Sequence, residues 1–178
     1  SRIMKTNDGY IQGYNGQAAV DAAHQVIVAQ GLSNKSTDQD QLAPMVDAVA
    51  LNTGSKPKEV SADAGYCSEA NLEALEERRV NAYVATGRQK HGQAAAVGER
   101  QGGGARVEAM RRKLKRGGWR SRYRLRKQVV EPVFGQIKEA RGFRRFLLRG
   151  LGNVGHEWGL ISTVHNLLKL GMAANRAA

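Results

Sequence analysis

The chain is short of the residues that lock small proteins together. Cys67 is its single cysteine, which excludes an internal disulfide and any zinc site built from several thiolates. Aromatic residues make up 6%, so the core has to come mainly from Val, Leu, Ile and Ala. No run of about 18 apolar residues occurs, so no segment reads as a membrane-spanning helix. Acidic residues are scarce as well: 16 Asp and Glu stand against 28 Lys and Arg, a formal net charge of +12 over 178 residues. A reducing cytoplasm is the expected compartment. The chain opens on Ser1, and its first residues read as the lead-in to a strand, so a piece of a longer protein is expected.

The basic character belongs to one segment. Residues 100–149 hold 17 of the 28 Lys and Arg and only 3 of the 16 Asp and Glu. A charge run is ordinarily a solvated face or a disordered tail. This one also carries Trp119, Tyr123, Phe134, Phe143 and Phe146. Aromatics among arginines suit a surface that grips phosphates and stacks on bases. A polyanion is the expected partner, nucleic acid being the commonest, although ribosomal and membrane-surface proteins share this balance.

The pattern along the chain alternates strands and helices. Gly13–Val20 and Gln25–Ala29 read as two arms of a hairpin, with Asp21–His24 as the turn. Thr37, Asp38 and Asp40 offer N-caps for a helix through Leu42, Met45, Val46 and Val49. Glu59–Asp63 is a short strand, and Ser68 caps a helix over Glu69–Arg79 with Ala70, Leu72 and Leu75 as its apolar stripe. Asn81–Thr86 is a further strand. Strand, helix and strand at this length predict a parallel βαβ unit and an α/β fold. Residues 87–118 are Gly-, Gln- and Arg-rich; a short basic helix is expected around Arg106–Arg116, and otherwise a mobile insertion. Arg120–Ala140 reads as a long helix. Pro132 inside it predicts a kink or a helix start near Val130. In the last helix Val154, Trp158, Ile161, His165, Leu168 and Met172 form one apolar face.

Two carboxylates carry the chemical reading. Asp63 stands at the C-terminal end of a strand, where open α/β sheets hold their ligands, although a turn aspartate or helix cap has the same appearance. Glu131 is a lone acid among apolar residues on a basic helix. It reads either as a salt-bridge partner of Lys127 or Arg124 or as a metal ligand. On a straight α-helix Lys127, Glu131 and Lys138 share one face, which suits a metal ligand beside a phosphate-binding surface.

Five stretches together resemble a known family: Gly13-Tyr14-Asn15-Gly16-Gln17, Ala62-Asp63-Ala64-Gly65-Tyr66, Tyr123 through Lys138, Arg149-Gly150, and His165-Asn166-Leu167-Leu168-Lys169-Leu170. The chain resembles, nearly throughout and in order, bacterial insertion-sequence transposases with an RNase H-like DDE domain and a YREK signature. That resemblance implies a mixed sheet with flanking helices, of which residues 1–178 are the C-terminal part and lack the first strand. It implies that Asp63 is the second D, Glu131 the E, Lys138 the K and Tyr123 the Y. The R falls to Arg126 by chemistry or to Lys127 by position. The first D would lie before this chain; Asp21 sits in a hairpin turn and reads poorly as a substitute.

Further implications follow from the resemblance. Asp63 and Glu131 would be catalytic metal ligands for two Mg²⁺ or Mn²⁺ ions. Tyr123, Arg126, Lys127, Lys138, Arg141, Arg144 and Arg145 would bind DNA. The partners would be transposon ends and target DNA, with a homodimer forming on the DNA and no membrane involved. The reaction would be phosphodiester hydrolysis and strand transfer, which this piece alone is not expected to perform. A non-catalytic basic nucleic-acid-binding protein, such as a decayed remnant, is the alternative. An RNase H-like nuclease outside transposition is a third reading. His165 reads as a core histidine.

Overall fold

A computed structural model describes residues 2–6, 9–35, 37–87, 103–117 and 122–177. The chain divides into two compact units, Ser1–Ser36 with Val129–Ala178, and Thr37–Gln128.

In the first unit, β1 (Arg2–Thr6) and β2 (Gly9–Gly13) form an antiparallel hairpin, Arg2 opposite Gly13 and Thr6 opposite Gly9. The second hairpin is β3 (Asn15–Val20) with β4 (Ile27–Ser33), whose register shifts between Ala19 and Val20. It is the hairpin that the sequence predicts, except that Gly13 belongs to β2 and the second arm runs over Ile27–Ser33 instead of Gln25–Ala29. At its turn the Asp21 carboxylate accepts the His24 amide at 2.8 Å, and Gln25 takes a φ of 57°.

The helix α5 (Leu151–Ala177) packs on β4. Trp158 centres the core of this unit. It stacks on Phe134 at 6.1 Å, takes Phe146 edge-on at 6.1 Å, and donates its indole N–H to the Gln17 carbonyl at 2.9 Å. Ile27, Val133, Ile137 and Ile161 complete it. The apolar face expected along α5 holds for Val154, Trp158, Ile161 and His165. It fails at Leu168 and Met172, which are exposed. A helix of 27 residues is roughly 40 Å long. The seven residues of β4 span roughly 23 Å, so the helix outruns the strand it packs on.

The second unit contains α1 (Leu42–Thr53), β5 (Glu59–Ala62), a 3₁₀ turn (Ala64–Tyr66), α2 (Glu69–Glu77), β6 (Asn81–Val84), α3 (Ala105–Gly117) and a second 3₁₀ turn (Arg122–Arg124). β5 and β6 pair in parallel, Glu59 beside Asn81 and Ala62 beside Val84, so the βαβ unit forms as expected. Three two-stranded sheets are present among the described residues, which makes a mixed α/β structure. The residue before α1 is Gln41, without a side-chain cap. Thr37, Asp38 and Asp40 do not cap it, because a turn closed by the Gln41 amide on the Asp38 carbonyl precedes the helix. The Ser68 hydroxyl does cap α2, accepting the Asn71 amide at 3.1 Å. Leu72 and Leu75 are buried as predicted. Ala70 is exposed, and Asn71 takes a buried place instead.

Within the segment 87–118, the helix expected around Arg106–Arg116 forms as α3, and it packs into the core of its unit. Val107, Met110 and Leu114 sit at spacings of three and four and face the core of the unit. The Glu69 carboxylate caps α3, accepting the Arg106 and Val107 amides at 3.2 and 2.8 Å. Arg106 reaches back to Glu73 and Glu76 at 2.8 and 3.0 Å. A Cβ on Gly104 would run into the Glu69 carboxylate, so a larger residue there has to displace this cap. Residues 88–102 and Trp119 lie outside the described residues.

The last helix of interest, α4 (Leu125–Gly135), contains the unit boundary, which falls after Gln128. It neither starts at Val130 nor stops at Pro132. Proline offers no N–H to the Gln128 carbonyl, and one turn later the ladder widens into a π-helix over Gln136–Ala140, closed by the Arg141 amide on the Gln136 carbonyl at 3.1 Å.

Candidate functional site

Asp63 follows β5 directly. The Ala62 carbonyl accepts the Ala85 amide at 3.1 Å, which ties the strand end to the chain after β6. The Asp63 carbonyl accepts the Tyr66 amide at 3.1 Å, which turns the chain back into α2. The carboxylate thus projects from a fixed strand terminus, with 53% of the side chain exposed.

One cation meets it. Arg126 Nη1 lies 3.0 Å from Asp63 Oδ1 and 3.1 Å from Oδ2. The Arg126 side chain is only 16% exposed, and its guanidinium carbon lies 5.7 Å from the centre of the Tyr123 ring. Tyr123 is buried in the core of this unit. The ring therefore orients the arginine, and the arginine holds the carboxylate. Between the two candidates for the R position, Arg126 is the one that faces Asp63, whereas Lys127 is exposed.

Two residues at this turn carried no functional reading in the sequence. Asn71 donates through Nδ2 to the Gln39 carbonyl at 2.6 Å and to the Tyr66 carbonyl at 2.7 Å, tying α2 to the turn after Asp63. Asp38 brings its carboxylate to Gly65, where an added Cβ would meet Oδ2 at 3.2 Å. The Tyr66 phenol is pushed well above its usual range, first by burial and then by the charges of Asp38 and Asp63. A polar residue directly after the Ser68-capped first positions of α2 was the available signal for Asn71. Nothing local marks Asp38.

Glu131 lies in α4, exposed, in the unit that holds residues 129–178. Lys138 lies beyond Gly135 in the π-helix, with Nζ 5.7 Å from the centre of the Phe134 ring. Because π turns are wider than α turns, the straight-helix stripe from Lys127 through Glu131 does not carry on to Lys138. Arg141 Nη1 stands 2.8 Å from His165 Nδ1, and Arg144 pairs with Glu139. Arg145 is exposed.

Three of the described aromatic residues of the basic segment serve the cores of their own units. Tyr123 is buried, and Phe134 and Phe146 pack on Trp158, because burying a ring favours folding more than leaving it in water. Phe143 is exposed. His165 is fully buried, as a core histidine should be. Its Nε2 lies 2.9 Å from the Gln25 carbonyl. An arginine can only donate and a carbonyl can only accept, so Nδ1 accepts from Arg141 and Nε2 carries the proton. Asn166 brackets Ile27, accepting its amide and donating to its carbonyl, both at 2.8 Å. The His165-Asn166 pair thus fastens α5 to the start of β4.

No three His, Cys, Asp or Glu side chains come together as a metal-holding group among the described residues. Asp63 and Glu131 supply accessible carboxylate oxygens, the donors that a hard divalent cation takes. Their chemistry fits such an ion, and each is described within its own unit.

Residues 1–167 match the family model described as the transposase DDE domain. A search of curated proteins found no match, and a search of solved structures found none.

Proposed function

The chain belongs to the transposase DDE-domain family, and on that premise we propose that it takes part in metal-dependent cleavage and strand transfer of DNA on an RNase H-like framework, together with a third carboxylate beyond Asp63 and Glu131. Asp63 and Glu131 would be two of the three carboxylates such a centre uses, holding Mg²⁺ or Mn²⁺. A bound pair of ions supplies activation of the attacking hydroxyl and stabilisation of the leaving oxygen. The chain's own contribution is positioning. The end of β5 presents Asp63, and Asn71 fixes the turn behind it. Arg126, aimed by Tyr123, supplies positive charge at that carboxylate. Lys127, Lys138 and Arg145 are exposed and suited to DNA phosphates, contacts that place the DNA without reading its sequence. Tyr123 acts through Arg126 rather than on the DNA, since its ring is buried. Assembly as a dimer on the two DNA ends belongs to the same proposal.

The observation that carries this reading is a carboxylate at the C-terminal end of a parallel strand, with a partly buried arginine fixed on it. The second reading, a DNA-binding protein without catalysis, draws on the same contact, because Arg126 already neutralises Asp63. Strand cleavage of end-bearing duplex in Mg²⁺ separates them. Asp63→Asn and Glu131→Gln should each lower cleavage by about 100-fold or more, with DNA affinity changed by less than about threefold. Protein that also carries the third carboxylate, binds DNA and never cuts it would leave the second reading standing.

A further inference from the structure

The segment between the π-helix and α5 combines two features that soluble surfaces usually keep apart. It reads Arg141-Gly142-Phe143-Arg144-Arg145-Phe146-Leu147-Leu148-Arg149-Gly150, with four arginines and no acid. At its tip Leu147 and Leu148 are 76% and 50% exposed. An exposed leucine alone means little. Here the backbone beneath the two is held in place. Glu157, nearly two turns into α5, accepts the Leu147 amide on Oε1 at 2.8 Å and the Leu148 amide on Oε2 at 2.9 Å. The Gly150 amide donates to the Tyr14 hydroxyl at 3.0 Å. Phe146, the neighbour on the other side, is anchored edge-on against Trp158. A charge-assisted carboxylate bridge of this kind is stronger than an ordinary hydrogen bond. The loop is rigid where it displays its leucines.

We infer that Leu147 and Leu148 are a wedge that inserts between base steps of bound DNA, with Arg145 and Arg149 on the flanking phosphates. The inference rests on the DNA-processing reading and adds distortion of the duplex to it. Apolar side chains pushed between base pairs partly unstack them and kink the helix, and the cost is lowest at flexible pyrimidine–purine steps. A wedge needs a stiff backbone, a small apolar tip and cations on both sides, and all three are present. The tip is two side chains wide, far short of the roughly 800 Å² per partner that a stable protein interface uses. The exposed arginines beside it favour a polyanion over an apolar protein surface.

The test uses the chain bound at low salt to a duplex of alternating thymine–adenine steps, with 2-aminopurine replacing central adenines. Unstacking raises 2-aminopurine fluorescence, and every TpA step in such a duplex is an equivalent target. Wild-type chain should raise the signal. The double variant Leu147→Ser/Leu148→Ser should bind within about threefold of wild type and lose the rise. Both side chains are exposed, so its melting temperature should stay close to wild type. Glu157→Gln, which keeps the leucines and loosens the loop, should diminish the rise. Arg145→Gln and Arg149→Gln should each lower the salt slope of binding by about one.

A fluorescence rise that survives the leucine double variant overturns the inference. So does a double variant that dissociates a wild-type dimer while leaving the fluorescence unchanged, because the leucines would then be a protein contact. A chain that binds no duplex at all defeats both this inference and the proposed function. Unstacking through the leucines without cleavage, in protein that also carries the third carboxylate, defeats only the catalytic reading.

Discussion

Arg126 and Asp63 are joined through one nitrogen that stands 3.0 and 3.1 Å from the two carboxylate oxygens. The residues are 63 positions apart in sequence. What brings them together is the Tyr123 ring, buried beside the parallel strands with the guanidinium over it. Because half of the Asp63 side chain remains in water, the pair matters more for where charge is placed than for stability.

A double-mutant cycle on Arg126→Gln and Asp63→Asn, followed by urea denaturation, should therefore give a coupling of no more than about 1 kcal/mol. Tyr123→Ala should cost about 3–5 kcal/mol, since it empties a buried aromatic site. A coupling of several kcal/mol would show that the pair is a buried structural bridge rather than an accessible one.

His165 predicts a pH dependence. Burial holds its pKa below the usual 6.5, with the charges of Arg141 and Lys169 adding to that and the hydrogen bond to Gln25 opposing it. A histidine that is neutral when folded and free to protonate when unfolded stabilises the fold above about pH 6.5. That contribution is lost as the pH falls through the unfolded value toward the folded one, at no more than about 1.4 kcal/mol per pH unit. Stability measured between pH 7.5 and 5 should fall more steeply for the wild type than for His165→Gln. Equal slopes would mean that the ring titrates normally in the folded protein.

The docking of α3 depends on Gly104. Gly104→Ala places a methyl group where the Glu69 carboxylate sits, so the cap on α3 should fail. Amide hydrogen exchange over residues 105–117 should then speed up while α5 keeps its protection. Leu114→Ala, at a fully buried position, should cost about 2–5 kcal/mol. If the basic segment were a solvated insertion, neither change would be felt.

The two halves of α5 should respond differently to truncation. Ile161→Ala should cost about 2–5 kcal/mol, whereas Leu168→Ala should stay within about 0.5 kcal/mol. Thermal or chemical denaturation of the two variants decides this. A large loss at Leu168 would mean that a partner covers that part of the helix in solution.

Much of the framework was legible because it follows from short-range rules. The Ser68 cap is a local hydrogen bond to an amide three residues away. The strand before Asp63 and the strand from Asn81 are short apolar runs bounded by turns, and they pair in parallel as the intervening helix requires. The helix around Arg106–Arg116 was legible, but its place in the core was not. Its partner, the acidic face of Glu69, Glu73 and Glu76 on α2, lies 30 or more residues away. The β1–β2 hairpin carried no clear alternation of apolar and polar residues to announce it.

The sequence by itself determined the chemistry on offer: a carboxylate at a strand end, a lone acid on a basic helix, and arginines in excess along one segment. Only tertiary structure decided which groups meet. Arg126 and Lys127 are neighbours in sequence but point roughly 100° apart around α4. Which of them reaches Asp63 depends on the ring packed beneath, and no spacing rule contains that. The same reason governs the aromatics, since Phe134 and Phe146 could serve a core or a surface equally well until Trp158 buried them.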